Sequence, residues 1–379
     1  MSAVTEKSIF YRKAFKMILP IVVQNLLSAT IGSTDIIMLN YVGQSAISAV
    51  SLATQYTNIL FMIFFGLGTG ATMLCAQYYG KGDMRAIDAV EGIALRFSVI
   101  VSLAFALSAL LIPQYMMKIF TNDTELIAVG ASYLRVVSVS YLCWGIMEIY
   151  MAVLKSIGRV AICTIMNMIA FVFNIILNAV FIFGLFGAPK LGAAGVALGT
   201  TLSRIIQLIC VIVVSAQSKN VKLKLSYMFI RNKLLLKDFF RLSLPALGND
   251  VIWGVAFSMY AVIIGHLGSD AVAANSFVSV ARNFGTILCF GVGSAAGILL
   301  GNEIGENNIE GARVDAKRLM KLTVISGAIG GLLILVATPF ILKYASLTPT
   351  AMHYLKYMLL INTYYVMGAA VNTTLIAGV

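Results

Sequence analysis

LPIVVQNLLSATIGSTDIIMLNYVG, residues Leu19 to Gly43, is apolar along most of its length and carries a carboxylate, Asp35, toward its far end. A run of this length crosses the hydrocarbon core of a bilayer, about 30 Å thick, as a helix. An ionised side chain inside such a helix costs about 3 kcal/mol or more. The aspartate therefore needs a reason to be there.

The stretch has a second copy. Shifted by 225 residues, the chain matches itself without a gap over two spans: Leu19-Pro20 meets Leu244-Pro245, Gly43 meets Gly268 and Ala46 meets Ala271. Further on, Gly66 and Gly68 meet Gly291 and Gly293, Leu74 meets Leu299, and Gly80 meets Gly305. The polar pair Gln24-Asn25 falls on Asn249-Asp250.

The whole composition is that of a membrane protein. Of 379 residues, 60% are hydrophobic and 11% charged, and the mean hydropathy is +0.94; soluble domains do not reach these values. Apolar segments predict ten spans: 14–40, 46–79, 91–113, 124–155, 159–186, 191–216, 238–266, 270–302, 316–343 and 349–379. The polar, basic first thirteen residues precede an apolar run too long for a signal-peptide core, so no cleaved signal is expected.

The two copies begin six spans apart, so both run the same way through the membrane, as a parallel repeat. The fold class expected is an all-α polytopic membrane protein of two parallel six-helix repeats (6+6). Residues 1–216 form the first half-bundle, 217–237 a basic cytoplasmic linker, and 238–379 the second half-bundle. That half shows four spans, and Val379 falls inside an apolar run without flanking charge. The expectation is a repeat truncated after its fourth helix, two helices continuing beyond Val379; the alternative is a ten-span protein.

Lys and Arg set the orientation. Lys7, Arg12, Lys13 and Lys16 precede or open the first span, Lys81 and Arg85 follow the second, and Lys155 and Arg159 follow the fourth. Lys219, Lys222, Lys224, Arg231, Lys233, Lys237 and Arg241 crowd the linker, and Arg313, Lys317, Arg318 and Lys321 follow the eighth span. The alternate connections hold Lys118, Lys190 and Lys343. The N-terminus and the basic connections are expected in the cytoplasm. The net charge of +12 thus resides in loops and implies no nucleic-acid partner. The five cysteines all fall in apolar spans, none in a C-x-x-C pair, and read as packing residues.

With about 1.5 Å of rise per residue, Asp35 lies in the outer half of span one. Asn174 and Asn178, four apart on one face of span five, and Thr200 near the start of span six lie at similar depth. A carboxylate, two amides and a hydroxyl can converge there on a proton or small cation, and these four are the candidate coupling-ion site. Alternatively, Asp35 is a satisfied buried group, and the amides and hydroxyl join helices. Asp250, Glu148 and Gln24 are candidates for a second coupling or substrate site; Asp250 and Glu148 can instead pair with Arg204 or Arg282, the reading we favour from sequence. Pro20 and Pro245 each remove a backbone hydrogen bond and are candidate hinges. Gly66, Gly68 and Gly70 permit close helix packing.

Four stretches resemble the multidrug and toxic compound extrusion (MATE) family of antiporters. They are the opening stretch, GLGTGATMLCAQYYGKGD with the family's A-Q-x-x-G-x-x-D pattern, NIILNAVFIFG, and LGAAGVALGTTLSR. The resemblance implies a 6+6 bundle around a central cavity. It also implies a cation-coupled antiporter that exports organic cations or other amphiphiles by alternating access. The family's first-helix acid matches Asp35, its fifth-helix Asn matches Asn174, and its sixth-helix Thr matches Thr200. Many members have Asp where this chain has Asn178, and others have Glu where it has Trp253. No cofactor is implied beyond the coupling ion, H+ or Na+, and no metal site is expected other than a candidate Na+ position at Asp35. The expected partners are a small cationic or amphiphilic molecule and the lipid bilayer, for a monomer in the plasma (inner) membrane.

A flippase for lipid-linked precursors is the nearest rival. It would want several basic side chains around its cavity, and Arg204 and Arg282 are the main candidates. A membrane-embedded enzyme would need a nucleophile and base or a histidine–acid cluster. The two histidines, His266 and His353, lie far apart near span ends, so no enzyme is expected.

Overall fold

The computed structural model describes residues 3–39, 41–42, 44–218, 221–229, 232–267, 269–345 and 347–378. For residues 3–7, 29, 31–37, 44, 225, 250, 258, 261–262, 265–266, 269, 272–273, 344 and 377–378 it describes the backbone alone. The described chain is helical: α1 Ala3–Leu39, α2 Gln44–Gly80, α3 Met84–Leu111, α4 Pro113–Lys118, α5 Thr124–Ser156, α6 Val160–Phe183, α7 Ala193–Gln217, α8 Lys233–His266, α9 Ser269–Gly305, α10 Ile309–Tyr344 and α11 Pro349–Gly378. Short 3-10 turns cover Leu185–Gly187 and Leu225–Phe229. The ten long helices correspond to the ten expected spans. Among the described residues, eight are long and apolar enough to cross a membrane.

The repeat is visible in the helix starts. Gln44, Met84 and Thr124 begin α2, α3 and α5, and 225 residues later Ser269, Ile309 and Pro349 begin α9, α10 and α11. Equivalent side chains cap equivalent helices by accepting from orphan backbone N–H groups. Asp83 Oδ1 accepts from Ala86 at 3.0 Å, and Asn308 Oδ1 from Gly311 at 3.0 Å. Asp123 Oδ1 accepts from Glu125 at 2.9 Å, and Thr348 Oγ1 from Ala351 at 3.2 Å. The Asp83 cap starts α3 seven residues before the expected span. Hydropathy misses these first two turns because Arg85 and Asp88 fall in them.

Two compact units divide the chain. One comprises residues 1–26, 79–81 and 248–379, the other residues 27–78 and 82–247. In the second unit Leu60, Phe64, Ile87, Leu134, Tyr141 and Tyr150 are fully buried. In the first, Ala274, Val278, Leu355, Leu359 and Val366 form the core. Both α1 and α8 continue through their prolines, Pro20 and Pro245, and pass from one unit to the other shortly after them.

Within each unit a glycine brings two helices together. A Cβ on Gly66 of α2 would stand 2.9 Å from the Leu247 Cβ of α8. A Cβ on Gly291 of α9 would stand 2.5 Å from Val22 Cγ2 of α1. The shift of 225 residues turns Gly66 into Gly291 and Val22 into Leu247, so these are one contact with the repeats exchanged. In a bilayer, where lipid competes for apolar surface, close backbone approach of this kind holds helices together.

Candidate functional site

The amide and hydroxyl side chains singled out in the sequence meet in the second unit. The four-residue spacing of Asn174 and Asn178 stacks them on one face of α6, 3% and 0% exposed. Asn178 Nδ2 donates to Asn174 Oδ1 at 3.3 Å, and Asn174 Nδ2 donates to Thr200 Oγ1 of α7 at 3.3 Å. The chain can come this close because α7 turns glycines toward α6. A Cβ on Gly195 would lie 2.8 Å from the Phe181 carbonyl oxygen, and one on Gly199 would overlap the Asn178 carboxamide. Gly184, left-handed at φ 71, ends α6 and lets the chain reverse into α7. Asp35 lies on α1 within the same unit; its side chain falls outside the described residues.

Glu148 sits one turn after Trp144 on α5. The Arg204 guanidinium of α7 lies 4.0 Å above the Trp144 ring and within electrostatic range of Glu148. Phe61 stacks on the same indole at 5.9 Å and Phe64 meets it edge-on at 5.4 Å. Gln24, half-buried, and Asp250, whose side chain falls outside the described residues, belong to the first unit.

One buried acid escaped sequence reading. Glu91 of α3 is 0% exposed, and neither carboxyl oxygen has a hydrogen-bond partner among the described residues. Asp88, Cys75 and Tyr150 lie within electrostatic range of it. Above it the linker docks on the half-bundle. The Tyr227 carbonyl lies so close to Gly92 that a Cβ there would overlap it. Arg96 Nε donates to the Met228 carbonyl at 2.7 Å, and the Tyr150 hydroxyl donates to the Val221 carbonyl at 3.3 Å. Burial and the neighbouring Asp88 carboxylate push the Tyr227 hydroxyl up to about 12. The signal for Glu91 was an acid just inside an apolar run; placing the span edge at residue 91 put it at the interface.

A family model described as MatE matches residues 20–180 and 247–379. The "Uncharacterized transporter YisQ" of Bacillus subtilis is 26% identical over 79% of this chain and 66% of its own length. The "Probable multidrug resistance protein YoeA" of the same organism is 26% identical over 85% and 70%. The "Multidrug resistance protein NorM" of Vibrio parahaemolyticus is 24% identical over 80% and 66%. The chain thus spans about two thirds of the length of these relatives. Among solved structures, a mutant of the Vibrio cholerae MATE transporter VcmN aligns with a TM-score of 0.85 at 18% identity, over 98% of this chain and 86% of that one. A MATE structure in complex with MaD3S aligns with a TM-score of 0.83 at 18% identity, over 96% and 82%.

Proposed function

Because the chain belongs to the MatE family, we propose that it is a cation-coupled antiporter exporting organic cations or other amphiphilic drugs by alternating access. The observation that carries this reading is the hydrogen-bonded row of buried Asn178 and Asn174 with half-buried Thr200, in a unit that also contains Asp35. Carboxylate, amide and hydroxyl oxygens are the ligands a hard cation prefers, and the same groups can hold a proton on the acid by hydrogen bonding. Asp35 binds the coupling ion, H+ or Na+, and Asn174, Asn178 and Thr200 complete its surroundings. Binding of the ion accompanies release of the substrate.

Pro20 and Pro245 serve as the bends about which the helices move. Glu148 balances Arg204, as favoured from sequence, while Asp250, whose side chain lies outside the described residues, forms with Gln24 a second coupling or substrate site rather than pairing with an arginine. The protein acts as a monomer in the plasma membrane with its N-terminus in the cytoplasm. Its basic connections on that side support this orientation.

The test is transport in proteoliposomes. A fluorescent organic cation is followed under an imposed pH or Na+ gradient, for wild type and Asp35→Asn. We expect gradient-driven transport that the substitution abolishes in a folded protein, the effective gradient naming the ion. Equal transport by the mutant would remove Asp35 from the mechanism.

A further inference from the structure

Arg282 stands on α9, roughly 20 Å from its start at 1.5 Å per residue. Charged residues at such depth face a protein interior or a wet cavity, because lipid cannot solvate them. The surroundings of Arg282 are aromatic. Its guanidinium carbon lies 4.8 Å from the centre of the Phe257 ring and 5.8 Å from that of Tyr365. Trp253 stacks on Phe257 at 5.4 Å and meets Tyr365 edge-on at 6.2 Å. All of these residues belong to the first unit, and all four side chains are half-buried, neither sealed into the core nor fully exposed.

Arg204 and Arg282 differ in charge balance. Arg204 has Glu148 in range. Around Arg282, no carboxylate lies within ion-pair distance among the described side chains, which do not include that of Asp250, one turn before Trp253 on α8. The guanidinium donates through Nη2 to Ser279 Oγ at 3.4 Å, a long bond on its own helix. A guanidinium has five N–H donors in a planar fork that fits a carboxylate with two parallel bonds. Ring faces on one side hold this fork in place, and the indole and phenol add flat apolar surface beside it.

We propose that Arg282, with Trp253, Phe257 and Tyr365, forms a binding site for the acidic group and attached ring of an aromatic carboxylate or sulfonate. The inference rests on the transport reading and narrows its substrates. It selects zwitterionic aromatic amphiphiles over purely cationic ones. Arg282 recognises the anion, and the three rings hold the flat body of the molecule. Lysine in place of Arg282 keeps the charge but not the paired donors.

Binding to the purified full chain in detergent tests this without any gradient. The probes are a rhodamine free acid and its ethyl ester, zwitterion and cation on the same ring system, followed by fluorescence anisotropy. We expect the ratio of their dissociation constants to shift against the acid by about tenfold or more in Arg282→Gln, with an intermediate shift in Arg282→Lys. On the unaltered protein, naphthalene sulfonate should displace the acid dye while naphthalene sulfonamide does not. A ratio unchanged in Arg282→Gln, or equal competition by the sulfonamide, overturns the proposal. So does an acid preference that emerges only in Asp250→Asn, because Asp250 would then be the permanent counter-ion. Arg282-dependent binding without gradient-driven transport would keep the site and refute the antiport reading.

Discussion

Gly66 of α2 and Leu247 of α8 approach closely enough that a single methyl group would not fit, whereas Gly68, one residue beyond Leu67 on the same helix, has room. At Gly68 the nearest atom to an added Cβ is Ala152 Cβ at 3.9 Å. Alanine favours helix over glycine by about 1 kcal/mol, but overpacking costs about 1–3 kcal/mol. Gly68→Ala is therefore expected to keep or raise the melting temperature in detergent. Gly66→Ala and its equivalent Gly291→Ala should lower it. Identical melting curves for Gly66→Ala and Gly68→Ala would mean that this contact does not hold the helices.

The row Asn178–Asn174–Thr200 should behave as a unit. Removing either end of the Asn174–Thr200 bond breaks that bond, leaving Asn174 Nδ2 or half-buried Thr200 Oγ1 without it, so the two losses overlap. In a double-mutant cycle of Asn174→Ala and Thr200→Val, we expect a coupling of about 0.5–1.5 kcal/mol in unfolding free energy. Strict additivity would show that the bond contributes nothing.

Glu91 is expected to tolerate loss of its charge. A carboxylate buried without hydrogen bonds is costly when ionised, so Glu91→Gln, of the same shape, should unfold at the wild-type temperature or above it. Glu91→Ala leaves a cavity and should unfold earlier. A lower melting temperature for the glutamine variant would reveal that the charge itself is held.

The docked linker should respond to alkaline pH through Tyr227. Its hydroxyl is raised from 10.0 to about 12 in the folded chain. A raised folded-state value means that the stabilisation is fully present below pH 10 and lost as the pH rises through about 12. Thermal unfolding between pH 9 and 12 should show wild type ahead of Tyr227→Phe at the lower end, with the gap closing toward the upper end. A gap that stays constant across that range would detach Tyr227 from the pH response.

Hydropathy alone made the ten long helices legible, since each must satisfy its backbone internally to cross lipid. The four-residue spacing of Asn174 and Asn178, with Thr200 at matching depth, brought three polar groups to one place in advance. What periodicity cannot show is which helix faces which. That Arg204 lies on Trp144, or that Gly92 admits the Tyr227 carbonyl, depends on tertiary packing between residues far apart in the chain. Glu91 was missed for a related reason: a cap, Asp83, rather than hydropathy determines where α3 begins.

The exchanged contact between Gly291 and Val22 also bears on how the protein is made. Val22 leaves the ribosome roughly 270 residues before Gly291 does. At about 5–20 residues per second, that is a wait of roughly fifteen seconds to a minute. Throughout it, the face of α1 around Val22 lacks the neighbour it will finally pack against. Insertion factors or lipid must cover that face in the interval, and a nascent chain arrested before α9 should be open to crosslinking there.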